Sequence, residues 1–158
     1  MASDGDIVIY TDCDLAYGTD VIAEATLRYE SGVDAVIGSR RLSGGGYEGY
    51  TLLRRIASAV YFGVLKIVGG FDLSDSQCGF KSFRGNMARK VFSKCKTNGF
   101  AFDFEVLLLA EKLGASITEM PVTIINHRAS TVHVVRESIR MVRDLIRIKK
   151  RVRRITFD

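Results

Sequence analysis

The sequence predicts an α/β fold in which a mostly parallel sheet is flanked by helices. Short apolar runs rich in β-branched residues, such as residues 6–10 and 34–38, alternate with longer segments of helical periodicity. The connections between these segments are short, and 158 residues are enough for one domain with a hydrophobic core. Alternation of strands and helices with short loops is typical of α/β proteins whose strands run mostly parallel.

The individual elements follow from the same patterns. We predict strands at residues 6–10, 34–38, 79–83 and 116–125. We predict helices at residues 19–31, 51–69, 85–95, 103–113 and about 134–155. Acidic residues in the first turn of the fourth helix favour its N-terminus through the helix dipole, and a glycine ends it. A proline places part of the last strand at an edge or a bulge.

The net charge of +5 is concentrated at the C-terminal end of the chain. Residues 136–158 carry nine Lys or Arg against three Asp or Glu, whereas residues 1–135 carry fourteen against fifteen. A near-neutral body with one basic arm indicates an anionic partner, either lipid headgroups or nucleic acid. The chain therefore divides into a body, residues 1–135, and a basic helix, residues 136–158.

The cysteines and the apolar runs argue against a disulfide-stabilised protein and against a membrane-spanning helix. Three cysteines without a CxxC pair suit a reducing compartment better than a disulfide framework. No apolar run is long enough to cross a bilayer, because Arg54, Arg55 and Lys66 interrupt the best candidate. The first ten residues lack the basic segment and long apolar stretch of a signal peptide.

Two carboxylates, Asp12 and Asp14, follow the first predicted strand and are separated by one residue. Ligands of open α/β sheets bind at the carboxyl ends of strands, where hard cations such as Mg²⁺ take oxygen ligands and share substrate phosphates. A turn that caps the helix beginning near Thr19 explains the same two residues, since Asp is common in turns. The pair alone does not decide between a metal site and a turn.

Three further polar clusters lie at the ends of predicted elements. Arg40 places a cation at the same sheet edge, or is a solvated loop arginine. Residues 72–81, DLSDSQCGFK, collect two carboxylates, an amide and an ammonium, and form either a polar site or a helix-ending turn. Asp103 and Glu105 lie among aromatic residues at a helix start, where the alternative is an N-cap and a first-turn residue favoured by the dipole.

Taken in order, the segments TDCD, GSR, RRxxS, DSQCGFK, FAFDFE, EMPV and HRAS resemble the family 2 glycosyltransferases. The resemblance is to dolichyl-phosphate mannose and glucose synthases and their bacterial undecaprenyl-phosphate relatives, and it runs from about residue 5 to residue 150. DSQCGFK together with FDxE is specific, whereas GSR and DxD are not. The resemblance implies a GT-A fold, which is Rossmann-like, and transfer of a hexose from a UDP-glucose or GDP-mannose type of donor to a polyprenyl phosphate.

The resemblance also implies which residues bind the donor. Asp12 and Asp14 match the motif that holds Mg²⁺ or Mn²⁺ and the donor pyrophosphate. Arg40 matches an arginine that contacts phosphate. Arg128 and Ser130 match a late loop that closes over the phosphates.

The acceptor and catalytic residues are implied in the same way. Arg54 and Ser58 match a pair near the lipid phosphate. Asp75 and Gln77 match an acidic turn that faces the sugar, and Asp103 belongs to the FDxE motif and is also expected to be catalytic. Family members carry a nucleoside-binding segment ahead of the DxD strand, so we expect residues 1–135 to be the C-terminal portion of the catalytic domain.

The basic helix has a one-sided apolar stripe, formed by Met141, Leu145, Ile148, Val152 and Ile155. Such a helix lies at an anionic bilayer surface, and the alternative is that the stripe packs in the core while the cations are solvated. We expect no nucleic-acid partner, because no aromatic residue is interleaved with the cations of this helix. The helix at 51–69 is apolar on nearly every face, so it is either buried or in lipid.

The leading hypothesis is an inverting, metal-dependent glycosyltransferase, peripheral on the cytoplasmic face of the membrane. A phosphate acceptor is already anionic near neutral pH and needs little help from a base. A family 2 transferase with a hydroxyl acceptor is the second hypothesis, and Asp75 would then be the base. The third hypothesis is a non-catalytic membrane-binding relative. Homo-oligomer formation is left open.

Overall fold

The computed structural model describes residues 3–12, 16–44, 52–99, 101–125 and 134–157, with the helical backbone alone at 52–58 and 134–141. The strands are β1 (Ile7–Tyr10), β2 (Ala35–Ser39), β3 (Lys81–Arg84) and β4 (Ile117–Pro121). The helices are α1 (Asp20–Arg28), α2 (Leu52–Gly69), α3 (Gly85–Lys94), α4 (Phe102–Lys112) and α5 (Val134–Arg153), and a short 3-10 turn (Tyr29–Ser31) follows α1. Every predicted strand and helix has a counterpart here, which confirms the α/β fold.

The four described strands form one mixed sheet in the order β1-β3-β2-β4. Strands β1, β2 and β4 point the same way, as predicted. Strand β3 lies antiparallel between β1 and β2, so two of the three pairings are antiparallel and only β2 with β4 is parallel. The prediction of a mostly parallel sheet therefore holds for strand direction and is wrong for pairing.

The register of β3 brings its first residues to the carboxyl ends of its neighbours. Lys81 lies opposite Tyr10 of β1 and opposite Ile37 of β2. Backbone hydrogen bonds continue the ladders one step further, from the amide of Asp12 to the carbonyl of Gly79 at 3.1 Å, and from Gly38 to Phe80 at 3.0 Å. The turn that precedes β3 therefore lies at the edge where β1 and β2 end.

The sheet separates two hydrophobic clusters. Ala35 and Ile37 of β2 belong to the cluster covered by α2, α4 and α5, whereas Val36 belongs to the cluster covered by α1. This alternation follows from the period of two along a strand. Helices thus cover both faces of the sheet, and the polar segments meet at its carboxyl edge.

The apolar stripe of α5 packs inside the protein. Leu145, Ile148 and Val152 are buried in the larger cluster, where α5 contacts α2 and α4. Lys112 of α4 donates hydrogen bonds of 2.8 Å to the carbonyls of Val152 and Arg153, which ties down the last turn of α5. The expectation that these three apolar residues lie on a bilayer is therefore wrong, because they pack against α2 and α4 in the core. The core-packing alternative is confirmed for them.

In the part of α2 whose side chains are described, residues 59–69, the helix is buried on one side only. Leu65 is 1% exposed, whereas Val60 and Ile67 on the opposite side are 62% and 81% exposed. None of the helices in the described ranges is long and apolar enough to cross a membrane. Contact of the exposed side of α2 with lipid stays a prediction.

Substitution of Leu145 by Ala should lower the free energy of unfolding by about 2–5 kcal/mol, because the change leaves a cavity in the core. The neighbouring Ile146 is 45% exposed, so Ile146→Ala is the matched control and should cost less than about 1 kcal/mol. Urea denaturation measures both. Unchanged stability of Leu145→Ala, together with weaker binding to anionic vesicles, would instead assign the stripe to a membrane surface.

Candidate active site

Four segments of the chain meet at the carboxyl edge of the sheet: the end of β1, the end of β2, the turn before β3 and the start of α4. A cavity of about 340 Å³ opens beside the end of β1, the turn before β3 and the start of α4. Its lining residues are Tyr10, Thr11, Asp12, Gly79, Gly99, Phe102 and Asp103. Of the predicted site residues, the structure therefore brings Asp12 and Asp103 together in one cavity.

Asp12 is seated against the backbone of the turn before β3. Its amide donates to the carbonyl of Gly79, and its carboxylate occupies the space that a Cβ atom at position 79 would need. A side chain at position 79 would therefore displace this carboxylate from its present orientation. Asp14 lies outside the described residues, so the structure gives one half of the predicted DxD pair.

The described residues contain no cluster of three or more His, Cys, Asp or Glu that would hold a metal ion by itself. Mg²⁺ is usually held by one or two carboxylates together with substrate phosphates, and a dedicated protein cage is not required. The carboxylate of Asp12, exposed at the cavity and seated by Gly79, fits such an ion.

Asp103 accepts two hydrogen bonds at its Oδ1 atom. The Lys81 ammonium donates at 2.6 Å and the Tyr10 hydroxyl at 2.9 Å. Burial, together with the adjacent Asp103 charge, raises the pKa of Tyr10 well above its usual value, so Tyr10 is a hydrogen-bond donor. The N-cap position of α4 is Ala101 and has no side-chain hydrogen bond. The alternative role of Asp103 as the N-cap is therefore wrong.

Arg40 and Asp75 form a bidentate ion pair. Nε and Nη2 of Arg40 donate to the two carboxylate oxygens at 2.7 and 2.8 Å, and the Arg40 amide adds a third hydrogen bond. Burial alone would lower the pKa of Arg40, but the hydrogen bonds and charge of Asp75 raise it above its usual value. Arg40 is thus no solvated loop residue. Because Asp75 is 1% exposed and both its oxygens are engaged, the geometry does not support Asp75 as a general base.

Glu119 of β4 organises the turn that carries Asp75, and sequence reasoning did not single it out. Its carboxylate accepts the amides of Ser74 and Asp75 and the Ser74 hydroxyl at 2.9–3.1 Å. The Ser74 hydroxyl also lies 2.6 Å from that of Ser39 at the end of β2. The available signal was a carboxylate in the middle of a predicted strand.

Gln77 has a buried polar atom that the described residues do not satisfy. Its Nε2 has no hydrogen-bond partner among them. Buried side-chain amides normally have partners, so this group is a candidate ligand contact. The next residue, Cys78, is fully buried, and burial raises the pKa of its thiol, which makes it a packing residue.

Glu105 is a structural residue next to the site. Its fully buried carboxylate accepts the amides of Lys96 and Thr97 at 3.0 and 2.7 Å and a hydrogen bond from Arg151 of α5 at 2.6 Å. Burial alone would raise the pKa of Glu105, but the bonds from Thr97, Lys96 and Arg151 lower it. Glu105 thereby ties α5 to the loop at 95–99, which ends in the cavity.

Four other predicted site residues have no described side chain. Arg128 and Ser130 lie outside the described residues. Arg54 and Ser58 lie within α2, where only the backbone is described. Their spacing of four residues places them on one face of the helix, as expected.

Comparison with curated proteins identifies glycosyltransferases. The chain is 38% identical over 79 residues to a dolichyl-phosphate beta-glucosyltransferase of Dictyostelium discoideum, a match that covers 50% of this chain and 24% of that protein. It is 35% identical over 83 residues to the enzyme of the same name from Saccharomyces cerevisiae, with coverage of 52% and 25%. It is 30% identical over 147 residues to glycosyltransferase AglD of Haloferax volcanii, with coverage of 92% and 23%. The chain thus spans about a quarter of the length of these relatives.

Solved structures show the same fold. Glucosyl-3-phosphoglycerate synthase of Mycobacterium tuberculosis superposes with a TM-score of 0.58 in its complex with phosphoglyceric acid and 0.57 in its complex with UDP. The identity is 19%, and the match covers 98% of this chain and 52% of that one. The likeness confirms the predicted glycosyltransferase type of α/β fold. No protein-family model matches the chain.

The substitution Glu105→Gln should reduce the pH dependence of stability. Because the pKa of Glu105 is lowered in the folded state, its contribution is present above the ordinary value of 4.5 and is lost as pH falls through the folded value. Loss of the charge should also cost about 1.5–3 kcal/mol at neutral pH. Urea denaturation from about pH 6 down to about pH 3 measures both effects.

The control is Glu111→Gln, because Glu111 is exposed on the same helix. This variant should stay within about 0.5 kcal/mol of the wild type and keep its acid dependence. If Glu105→Gln behaves like Glu111→Gln, the buried carboxylate does not tie α5 to the loop.

Proposed function

The chain belongs to the family 2 glycosyltransferases of the dolichyl-phosphate glycosyltransferase type, and from this premise we propose that it transfers a hexose from a nucleotide sugar to a polyprenyl phosphate. The names of two relatives favour glucose as the hexose. The donor is then of the UDP-glucose type, with the GDP-mannose type as the alternative. The observation that carries the proposal is the cavity at the carboxyl edge, because Asp12 and Asp103, each from a family motif, line it together.

The donor diphosphate is assigned to the Asp12 side of the cavity. Asp12 and Asp14 would hold Mg²⁺ or Mn²⁺, which supplies positive charge to the leaving diphosphate when it is bound. Arg40, with Arg128 and Ser130, is assigned to the donor phosphates. The ion pair with Asp75 holds the Arg40 guanidinium in one orientation, so little ordering cost remains when a phosphate arrives.

The acceptor phosphate attacks the anomeric carbon of the donor. A bond forms between that carbon and a phosphate oxygen as the bond to the diphosphate breaks, and the configuration inverts. An acceptor that is already anionic needs no general base. This favours a phosphate over a hydroxyl acceptor, because the base proposed for the hydroxyl reaction, Asp75, has both oxygens engaged.

The lipid side is assigned to α2 and the membrane surface. Arg54 and Ser58 near the start of α2 would bind the acceptor phosphate, since a guanidinium and a hydroxyl on one helix face suit a phosphate monoester. The exposed Val60 and Ile67 of the same helix support contact with an isoprenoid chain or lipid. Exposed cations of α5, such as Arg153, support a peripheral position at the anionic cytoplasmic face.

A non-catalytic relative is the alternative from a different class. Titration calorimetry with UDP-glucose and with GDP-mannose, each with Mn²⁺, separates the two. Binding of either donor supports the enzyme. Binding of neither overturns the proposed function.

The first functional prediction concerns Asp12. Asp12→Asn in the full-length protein should lower kcat/KM about 100-fold or more, because the cation loses a carboxylate ligand. Gly79→Ala should weaken donor binding with Mn²⁺ in the same direction, because its Cβ displaces the Asp12 carboxylate. Transfer of labelled sugar to polyprenyl phosphate and donor calorimetry measure these effects.

Asp6→Asn is the matched control, since Asp6 is exposed just before the opposite end of the same strand. It should keep wild-type transfer. Near-normal activity of Asp12→Asn would remove Asp12 from the site.

The second functional prediction concerns the acceptor. Arg54→Ala should lower kcat/KM for polyprenyl phosphate about ten- to a hundredfold through loss of a charge-assisted hydrogen bond, while donor affinity stays unchanged. Arg55→Ala is the control, because Arg55 lies about 100° further round the helix. Steady-state kinetics with each substrate varied in turn measure the effect. Loss of donor affinity with normal acceptor kinetics would move Arg54 to the nucleotide site.

A further inference from the structure

Lys81, the first residue of β3, is fully buried. Lysine is almost never fully buried unless its charge is paired, because removal of an ammonium from water is costly. The Lys81 Nζ atom donates to the carbonyl of Cys78 at 2.5 Å and to Oδ1 of Asp103 at 2.6 Å. Asp103 is the only acidic side chain in an ion pair with it among the described residues.

Asp103 has the Tyr10 hydroxyl as a second donor, and this hydroxyl meets the same Oδ1 atom at 2.9 Å. Two donors on one oxygen, from adjacent strands, fix the rotation of the carboxylate. The Asp103 side chain is 21% exposed and lines the cavity that also contains Asp12. Within the described ranges, Oδ2 of Asp103 receives no hydrogen bond.

Two further ion pairs contain a buried carboxylate, and in both of them the two carboxylate oxygens each accept a hydrogen bond. Arg40 engages both oxygens of Asp75. Arg151 engages one oxygen of Glu105, and backbone amides engage the other. Those two carboxylates are internally satisfied and act as structural ties. In contrast, the donors to Asp103 are gathered on one oxygen, and the residue lines a cavity large enough for a sugar ring.

We propose that Lys81 is a positioning residue that, together with Tyr10, presents Oδ2 of Asp103 to a hydroxyl group of the transferred hexose. The inference rests on the proposed function. An ionised carboxylate is a strong hydrogen-bond acceptor for a hydroxyl, and its alignment before binding removes the cost of ordering it. The Lys81 charge keeps this carboxylate compensated, and the burial of Lys81 prevents it from binding the donor phosphates directly.

The test compares a nucleotide sugar with its nucleoside diphosphate, each with Mn²⁺, in the full-length protein. The ligands are UDP-glucose against UDP, or GDP-mannose against GDP, whichever donor the wild type binds. Lys81→Met and Asp103→Asn should each weaken binding of the nucleotide sugar about tenfold and lower kcat/KM about ten- to a hundredfold. Affinity for the nucleoside diphosphate should stay within about twofold, because only the sugar contacts Asp103. Titration calorimetry and transfer kinetics give these numbers.

The double variant Lys81→Met/Asp103→Asn distinguishes a positioning role from a separate one. If Lys81 acts through Asp103, the double variant should lose no more than the worse single variant, since effects of residues that act as a unit are non-additive. Additive losses would overturn the inference. Equal weakening of the sugar-containing and sugar-free ligands, or no weakening of either, would overturn it as well.

Tyr10→Phe keeps the inference testable if Lys81→Met fails to show a cooperative thermal transition. It removes one donor to Oδ1 and keeps the ring packing, so it should show the same sugar-selective weakening to a smaller degree. A Tyr10→Phe variant with wild-type affinity for the nucleotide sugar would then count against the inference. If the wild type binds neither donor, the proposed function fails and the inference fails with it.

Discussion

The direction of β3 is the constraint on which the site depends. Because β3 runs antiparallel between β1 and β2, its first residues lie beside the ends of both neighbours. The turn before β3 therefore reaches the carboxyl edge and brings Asp75 to Arg40 and Gly79 to Asp12. A parallel β3 would place the same turn at the opposite edge. Then neither contact would form, although every strand kept its apolar pattern.

Buried charge pairs turn this topology into a rigid edge. Each of three pairs contains a side chain that is at most 1% exposed: Asp75 with Arg40, Lys81 with Asp103, and Glu105 with Arg151. Such pairs contribute little net stability compared with an apolar core, but removal of the partner of the fully buried member costs about 3–5 kcal/mol, because that buried charge is left unpaired. The three pairs therefore fix the relative positions of neighbouring elements. Asp75 and Arg40 hold the turn against the end of β2, Lys81 and Asp103 hold β3 against α4, and Glu105 and Arg151 hold α4 against α5.

The sequence was a good guide to elements and a poor guide to their partners. Periodicity of two or 3.6 residues identifies strands and helices, but it carries no strand direction, so the antiparallel β3 was not predictable. An amphipathic helix shows the same sequence pattern whether its apolar side packs on a protein core or on a membrane. Leu145 is buried because apolar surface of α2 and α4 is available to pack against it. Motifs assigned Asp12, Asp75 and Asp103 to one active site, but the ion pair between Asp75 and Arg40 depends on tertiary structure and has no local sequence signature.

The charges at the edge also bear on the proposed divalent ion. Two cations at this edge, Lys81 and Arg40, are each paired with one carboxylate, Asp103 and Asp75 respectively. A nucleotide sugar would bring a diphosphate into a cavity that already contains Asp12. Two like charges 4 Å apart repel by roughly 4 kcal/mol at an effective dielectric constant of 20. A hard divalent cation, as proposed above, would place positive charge between Asp12 and the diphosphate without disturbing either buried pair.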